Sequence, residues 1–183
     1  MRLGLVAVML FAAAFAASAL GIGWGARVDI SPIDKVAAPS IAWSGYLDMT
    51  YAQLVLGYRM QHGDAANAGS DLGWLDTVAL LKWPFTIGTT TAFPQAGIEY
   101  GWCLSYVDSS GRDLTTALTS AERQQLNIFW LEAGVGADFL LTAEPHTGVK
   151  WNLRIGAQLR YDPFDNHYGL QVDLLYGCAF PSS

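Results

Sequence analysis

The side chains that could do chemistry here are mostly charges that share one phase of a two-residue alternation. Arg27 falls in phase with Asp29, Asp76 with Lys82, Glu132 with Asp138, and Lys150 with Arg154 and Arg160. Arg59, Glu99 and Asp173 hold the same phase in their own runs. Residues of one phase share one face of a β-strand, so these groups are placed to pair with each other across a sheet. Catalytic material is thin. The three histidines, His62, His146 and His167, all fall in turns or loops, and Asp165 with His167 is the nearest approach to an acid–base pair. No nucleophile neighbours any of them, no cluster has metal-ligand spacing, and no cofactor motif is present, so the expectation is no enzyme, no metal and no cofactor.

The elements that must position these charges are long alternating runs. In "VKWNLRIGAQLRYD", Val149, Trp151, Leu153, Ile155, Ala157, Leu159 and Tyr161 are apolar, and every residue between them is polar, charged or glycine. In "FWLEAGVGADFLLTA", Phe129, Leu131, Ala133, Val135, Ala137, Phe139 and Leu141 oppose Glu132, Gly134, Gly136, Asp138 and Thr142. "QAGIEYGWCLSYV" and the run ending at Phe180 repeat the pattern, as do the residues around Trp24. Splitting "SIAWSGYLDMTYAQLVLGYRMQ" at Met49-Thr50 gives eight strands, over 20–30, 40–48, 51–61, 73–86, 95–107, 128–143, 149–162 and 167–180. Met49-Thr50, "TIGTTTAFP" and "EPHTG" read as compact turns on one side. "SPIDKVAAP", "HGDAANAGSD" and "DSSGRDLTTALTSAERQQ" read as mostly longer loops on the other, with "PFDN" a short exception.

Composition states which face meets water. Of 183 residues, 52% are hydrophobic and only 14% charged, whereas a soluble domain usually carries about 25% charged residues. A soluble lipocalin-like barrel would hold its charges outside and needs more of them. From Trp151 to Tyr161 a strand rises about 33 Å, and a tilt of ~40° leaves an apolar band near ~25 Å, the height of an outer-membrane barrel wall. The fold expected is all-β: an eight-stranded antiparallel transmembrane up-and-down β-barrel over residues 20–183. Residues 1–19 read as a signal peptide cut after Ala17-Ser18-Ala19. The net charge of −6 argues against a nucleic-acid partner.

On this reading Trp24, Trp83, Trp102, Tyr106, Trp151, Tyr161 and Tyr176 lie at the membrane interfaces. Arg27, Arg59, Asp76, Lys82, Glu99, Glu132, Asp138, Lys150, Arg154, Arg160 and Asp173 form an interior charge network. Side chains fill the lumen of so small a barrel, so a charge-stapled plug is expected over an aqueous pore. Cys103 falls in the inward phase and Cys178 in the lipid-facing one, so two free thiols are expected. If Ala143 faces Val149 across "EPHTG", paired numbers sum to 292, which sets Glu132 against Arg160 and Asp138 against Arg154.

"YLDMTYAQLVLGY", "LLKWPFTIG", "FPQAGIEYGWCLSY" and "LEAGVGADFLLT" together resemble small outer-membrane β-barrel proteins of spirochaetes. The matched positions are Asp48, Thr50 and Tyr51, then Lys82, Pro84 and Phe85, then Gly134, Gly136 and Asp138, within about residues 46 to 162. The resemblance implies an architecture like the OmpX and OmpW barrels, insertion in the outer membrane, and no settled molecular activity. It departs at the C-terminus, where Pro181-Ser182-Ser183 follow Phe180 in place of a terminal aromatic.

The function expected is OmpW-like passage, and an OmpX-like structural barrel is the alternative. An OmpW-like barrel would pass small or apolar solutes, using room left on the inner wall by Gly97, Gly101, Gly134 and Gly136. An OmpX-like structural barrel would bind host surface factors through its outer loops, chiefly residues 108–127, where Ala121–Gln125 suits a helical turn. Outer-membrane lipid and the outer-membrane assembly machinery are partners in either case.

Overall fold

A two-residue period sends successive side chains to opposite sides of a sheet, and the backbone follows that instruction almost throughout. The strands are β1 (Gly21–Ile30), β2 (Ser40–Asp48), β3 (Ala52–Gln61), β4 (Asp71–Lys82), β5 (Phe85–Ile87), β6 (Thr90–Val107), β7 (Ile128–Ala143), β8 (Lys150–Asp162) and β9 (His167–Ala179). One short helix, α1 (Ser120–Gln125), precedes β7. This is a computed structural model that describes residues 20–30, 40–62 and 69–181. The expected signal peptide over 1–19 lies outside the described residues, as do 31–39 and 63–68.

The strands are antiparallel in the order β4-β3-β2-β1-β9-β8-β7-β6-β5, and β4 also pairs with β6. That last pairing closes the sheet into a barrel of eight staves, because β5 continues the stave of β4 rather than adding another. Lys82 pairs with Gln95 and Phe85 with Ala92, one unbroken register on either side of Trp83-Pro84. Proline has no N–H to give the ladder, which is why the stave is interrupted there and resumes after it.

The expected turn "TIGTTTAFP" is therefore mostly strand. β6 starts at Thr90, and the chain reverses over Gly88-Thr89, with Gly88 at φ 62°. The turn between β2 and β3 is likewise one residue later than Met49-Thr50. Met49 N–H donates to the Ala52 carbonyl at 2.8 Å, leaving Thr50-Tyr51 as the loop, with Met49 buried inside the barrel end.

The two faces are inverted relative to a water-soluble protein. Ile22, Trp43, Leu56, Ile98, Leu104, Val135, Leu159 and Leu174 are all exposed on the outer wall. Beside a small apolar cluster of Tyr46, Val55, Val78, Leu80 and Leu175, the described residues bury eleven charged side chains, five cations and six carboxylates. An apolar belt that encircles a closed sheet is stable against lipid and not against water. Among the described residues no helix is long and apolar enough to cross a membrane.

Candidate functional site

The centre of the lumen is built around Glu99 on β6. It accepts from Arg27 on β1 at 3.2 Å, from Arg160 on β8 at 2.7 Å, and from Arg59 on β3. β1 and β6 lie on opposite sides of the ring of eight staves, so the Arg27–Glu99 pair spans the whole lumen. Arg27 also reaches Asp173, its ladder partner, at 3.3 Å and Glu132 at 3.4 Å. Arg59 binds Asp76 at 2.7 Å and Asp29 at 2.9 Å, while Arg160 binds Asp29 and approaches Glu132 at 3.4 Å. Three guanidinium groups thus face five carboxylates. Gln158 and Gln171, fully buried, extend the network through Asp173 at 2.6 and 3.0 Å. Each ion needs several partners because water is excluded, and unpaired charge in such a place is costly.

A second cluster sits towards the short-turn end. Arg154 binds Asp138 at 2.6 and 2.7 Å and Asp48 at 3.0 and 2.9 Å, and Lys82 binds Asp48 at 2.6 Å. Asp48, Lys82 and Asp138 are charged positions from three separate motifs of the sequence, and the fold brings them to one place. Besides its place in the motif with Thr50 and Tyr51, Asp48 shares the inward phase of Ser44 and Ala42, the signal that marks it as a lumen charge.

Aromatic rings complete both clusters. The Arg154 guanidinium lies 5.1 Å from the Tyr46 ring and 4.8 Å from Phe93, and Lys82 lies 5.1 Å from Phe93. At the other end Arg160 lies 4.5 Å from Trp130, and the Trp74 indole N–H donates to the Leu126 carbonyl at 2.7 Å. Such contacts favour cations over ring faces. Assigning aromatics to the lipid face does not find these inward rings, yet Phe93 keeps phase with Gln95 and Trp130 with Glu132.

Two expectations are corrected. Lys150 is exposed at the barrel mouth and makes no ion pair among the described residues. The β7–β8 hairpin is irregular after Leu140: pairs sum to 292 from Leu131–Tyr161 to Leu140–Asn152, then shift so that Ala143 faces Lys150 rather than Val149. That extra residue, Leu141, lies on β7; β8 keeps its regular register with β9 down to Lys150–Ala179, so Lys150 keeps its phase and is exposed because it is the first residue of its strand, at the mouth. The glycines do not leave open room either. A Cβ on Gly97 would lie 1.9 Å from the Ala79 carbonyl oxygen, on Gly134 2.1 Å from that of Ala157, and on Gly136 2.4 Å from the Phe93 ring. On Gly101 it would meet Ile128 at 2.6 Å and Asp76 at 2.7 Å. Neighbours already occupy the space that these side chains lack.

The expected interface aromatics divide between the barrel ends. Trp24, Trp83, Trp151 and Tyr176 lie towards the short turns, with Trp151 and Tyr176 stacked at 5.6 Å. Trp102, Tyr106 and Tyr161 lie towards the long loops, with Tyr161 4.9 Å from Tyr168. Cys103 is buried, Cys178 half-buried, and both are free thiols.

Above the long-loop end, residues 108–127 are tied down by local hydrogen bonds. The Asp108 carboxylate accepts from the Ser110 hydroxyl and N–H and the Arg112 N–H, which hold it below the usual carboxylate range. Asp113 is lowered by Thr115, and Glu122 by the Thr119 hydroxyl and N–H in a capping box at the start of α1.

No family model matches the chain, and no curated protein matches it. Solved structures do. Neisserial surface protein A superposes with a TM-score of 0.53 at 13% identity, over 88% of this chain and 95% of that one. The N-terminal barrel domain of OprF from Pseudomonas aeruginosa matches at TM-score 0.47 and 12% identity, over 88% of this chain and 99% of the other. OprG from the same organism gives 0.47 and 14%, over 90% and 94%. The first of these likenesses supports the closed eight-stranded barrel architecture. The spirochaete likeness drawn from the motifs finds no support in any of the comparisons.

Proposed function

We propose that this chain is an integral outer-membrane barrel with a sealed interior, which acts through its outer loops and its lipid-facing wall rather than as a conduit. The observation that carries the reading is the pair of Arg27 and Glu99, joined across the full lumen and both fully buried. A solute moving through the centre would have to separate those charges and leave them without partners, at a cost of roughly 3–5 kcal/mol for each broken buried pair. The filled surroundings of Gly97, Gly101, Gly134 and Gly136 point the same way.

In this reading lipid is the partner of the wall, the outer-membrane assembly machinery inserts the barrel, and host surface factors meet residues 108–127. No catalytic step is assigned. Reconstitution of the folded protein in planar bilayers tests the proposal. The expected result is no steady unit conductance in the wild type. A reproducible open channel would overturn it and restore passage of small or apolar solutes as the better function.

A further inference from the structure

β6 outruns its neighbour. It pairs with β7 only as far as Gly101–Ile128, although it continues to Val107 against β4. Over Trp102–Val107 no strand covers the β7 side, and residues 108–127 fold back to do so. Cys103 N–H donates to the Asn127 side-chain oxygen at 2.9 Å, Tyr106 N–H to the Thr115 hydroxyl at 2.9 Å, and Leu114 N–H to the Tyr106 carbonyl at 2.9 Å. The barrel wall therefore has a notch at its long-loop end, closed by loop side chains and an isolated backbone bridge rather than by a stave.

A cavity of about 310 Å³ lies in this notch. Trp102 lines it from the lipid-facing phase of β6, at 44% exposure, while Cys103 lines it from the inward phase. The cleft thus opens sideways, at the level where the apolar wall meets the polar loops. Its walls are of two kinds. Trp102 and Leu118 are apolar, whereas Ser120, Arg123 and Gln124 present a hydroxyl, a guanidinium and an amide from α1. No carboxylate lines it, and the nearest in sequence, Glu122, is occupied by Thr119. Arg123 gives one N–H to the Thr115 carbonyl at 2.6 Å, and a guanidinium has five to give.

We infer that this cleft holds the anionic head group of a membrane lipid, with Arg123 as its ion-pair partner and Trp102 and Leu118 against the first methylenes. A volume near the lower bound for small-molecule sites, about 300 Å³, suits a head group and not a whole lipid. The acyl chains then lie along the outer wall, where Tyr100 packs edge-on to Trp102 at 4.7 Å and the exposed Ile98 continues the same face. Indole at an interface and a cation near an anionic head group are both favoured arrangements. The inference rests on the membrane-embedded reading of the barrel, but not on whether its lumen is sealed.

Native mass spectrometry of the full folded protein in a non-ionic detergent tests it, with phosphatidylglycerol, phosphatidylcholine and glycerol 3-phosphate as probes. Phosphatidylglycerol adducts are expected to survive, with phosphatidylcholine retained about tenfold less and glycerol 3-phosphate not retained. Arg123→Gln should lower phosphatidylglycerol retention about tenfold and Leu118→Asp should do the same, while Arg112→Gln, outside the cleft, should leave it unchanged. A heat-dependent gel shift shows that each variant is folded. Equal retention of the two phospholipids, or unchanged retention in Arg123→Gln or Leu118→Asp, overturns the inference. So does equal loss in Arg112→Gln, which would mean general surface charge, or capture of glycerol 3-phosphate alone, which would mean a free-anion site. A channel seen in planar bilayers would overturn the sealed lumen and leave these lipid results standing.

Discussion

Arg154 and Asp138 face each other across the β7–β8 ladder, and two guanidinium nitrogens bind both carboxylate oxygens at 2.6 and 2.7 Å. The same guanidinium also grips Asp48 from β2. One arginine therefore joins three staves near the short-turn end. Bidentate pairs of this kind fix geometry as well as charge.

That sharing sets an order among variants. Arg154→Ala leaves Asp138 without its partner and Asp48 with Lys82 alone, and is expected to cost roughly 3–5 kcal/mol. Asp138→Ala leaves Arg154 with Asp48 and should cost less, about 1–3 kcal/mol. The double variant should lose less than the sum of the two. Urea unfolding in detergent, read by tryptophan fluorescence, measures all three, and strict additivity would mean that the residues do not interact.

Glu99 is the hub of the central cluster, so its loss should be more damaging than that of any loop carboxylate. Glu99→Ala leaves three guanidinium groups short of an acceptor and is expected to cost roughly 3–5 kcal/mol. Asp113→Ala on the exposed loop should stay within about 1 kcal/mol. Equal midpoints for the two variants would sink the claim that the interior is held by Glu99.

Gly136 makes room for Phe93, on which Arg154 and Lys82 rest. Gly136→Ala should destabilise by about 1–3 kcal/mol through overpacking, and Phe93→Leu in the same chain should recover part of the loss. A neutral Gly136→Ala would show that the ring does not occupy that space.

The two thiols should differ in access but never join. Intact mass measured under denaturing, non-reducing conditions should show two thiols free to alkylate. In the folded protein Cys103 should resist a charged maleimide until unfolding. An intramolecular bridge would require both sulfurs on one side of the wall and would contradict their opposite faces.

Loop order should depend on pH. Asp108, Asp113 and Glu122 have folded values below the ordinary carboxylate range, so their contribution is present at neutral pH and is lost as pH falls through those lowered values. Hydrogen exchange of residues 108–125 should be steady, after correction for intrinsic rates, from neutral pH to about pH 5 and lose protection below about pH 4. Protection that instead fell as pH rose from 5 to 7 would assign the loop's order to other groups.

Alternation alone gives the number of staves and most of the charges that share the lumen, because a two-residue period sets the face of each side chain wherever the strand is regular. The sequence also set Glu132 against Arg160 and Asp138 against Arg154, although the turn itself pairs one residue out of that register and the extra residue Leu141 restores it. It left undetermined where regularity stops. The extra residue after Leu140, the break at Pro84 and the turn at Thr50-Tyr51 depend on how neighbouring strands meet. The partners of Arg27, Arg59 and Arg160 lie on staves that are distant in the chain. The pairing of Arg27 with Glu99 exists only because the sheet closes, and closure alone brings opposite walls within reach of one side chain.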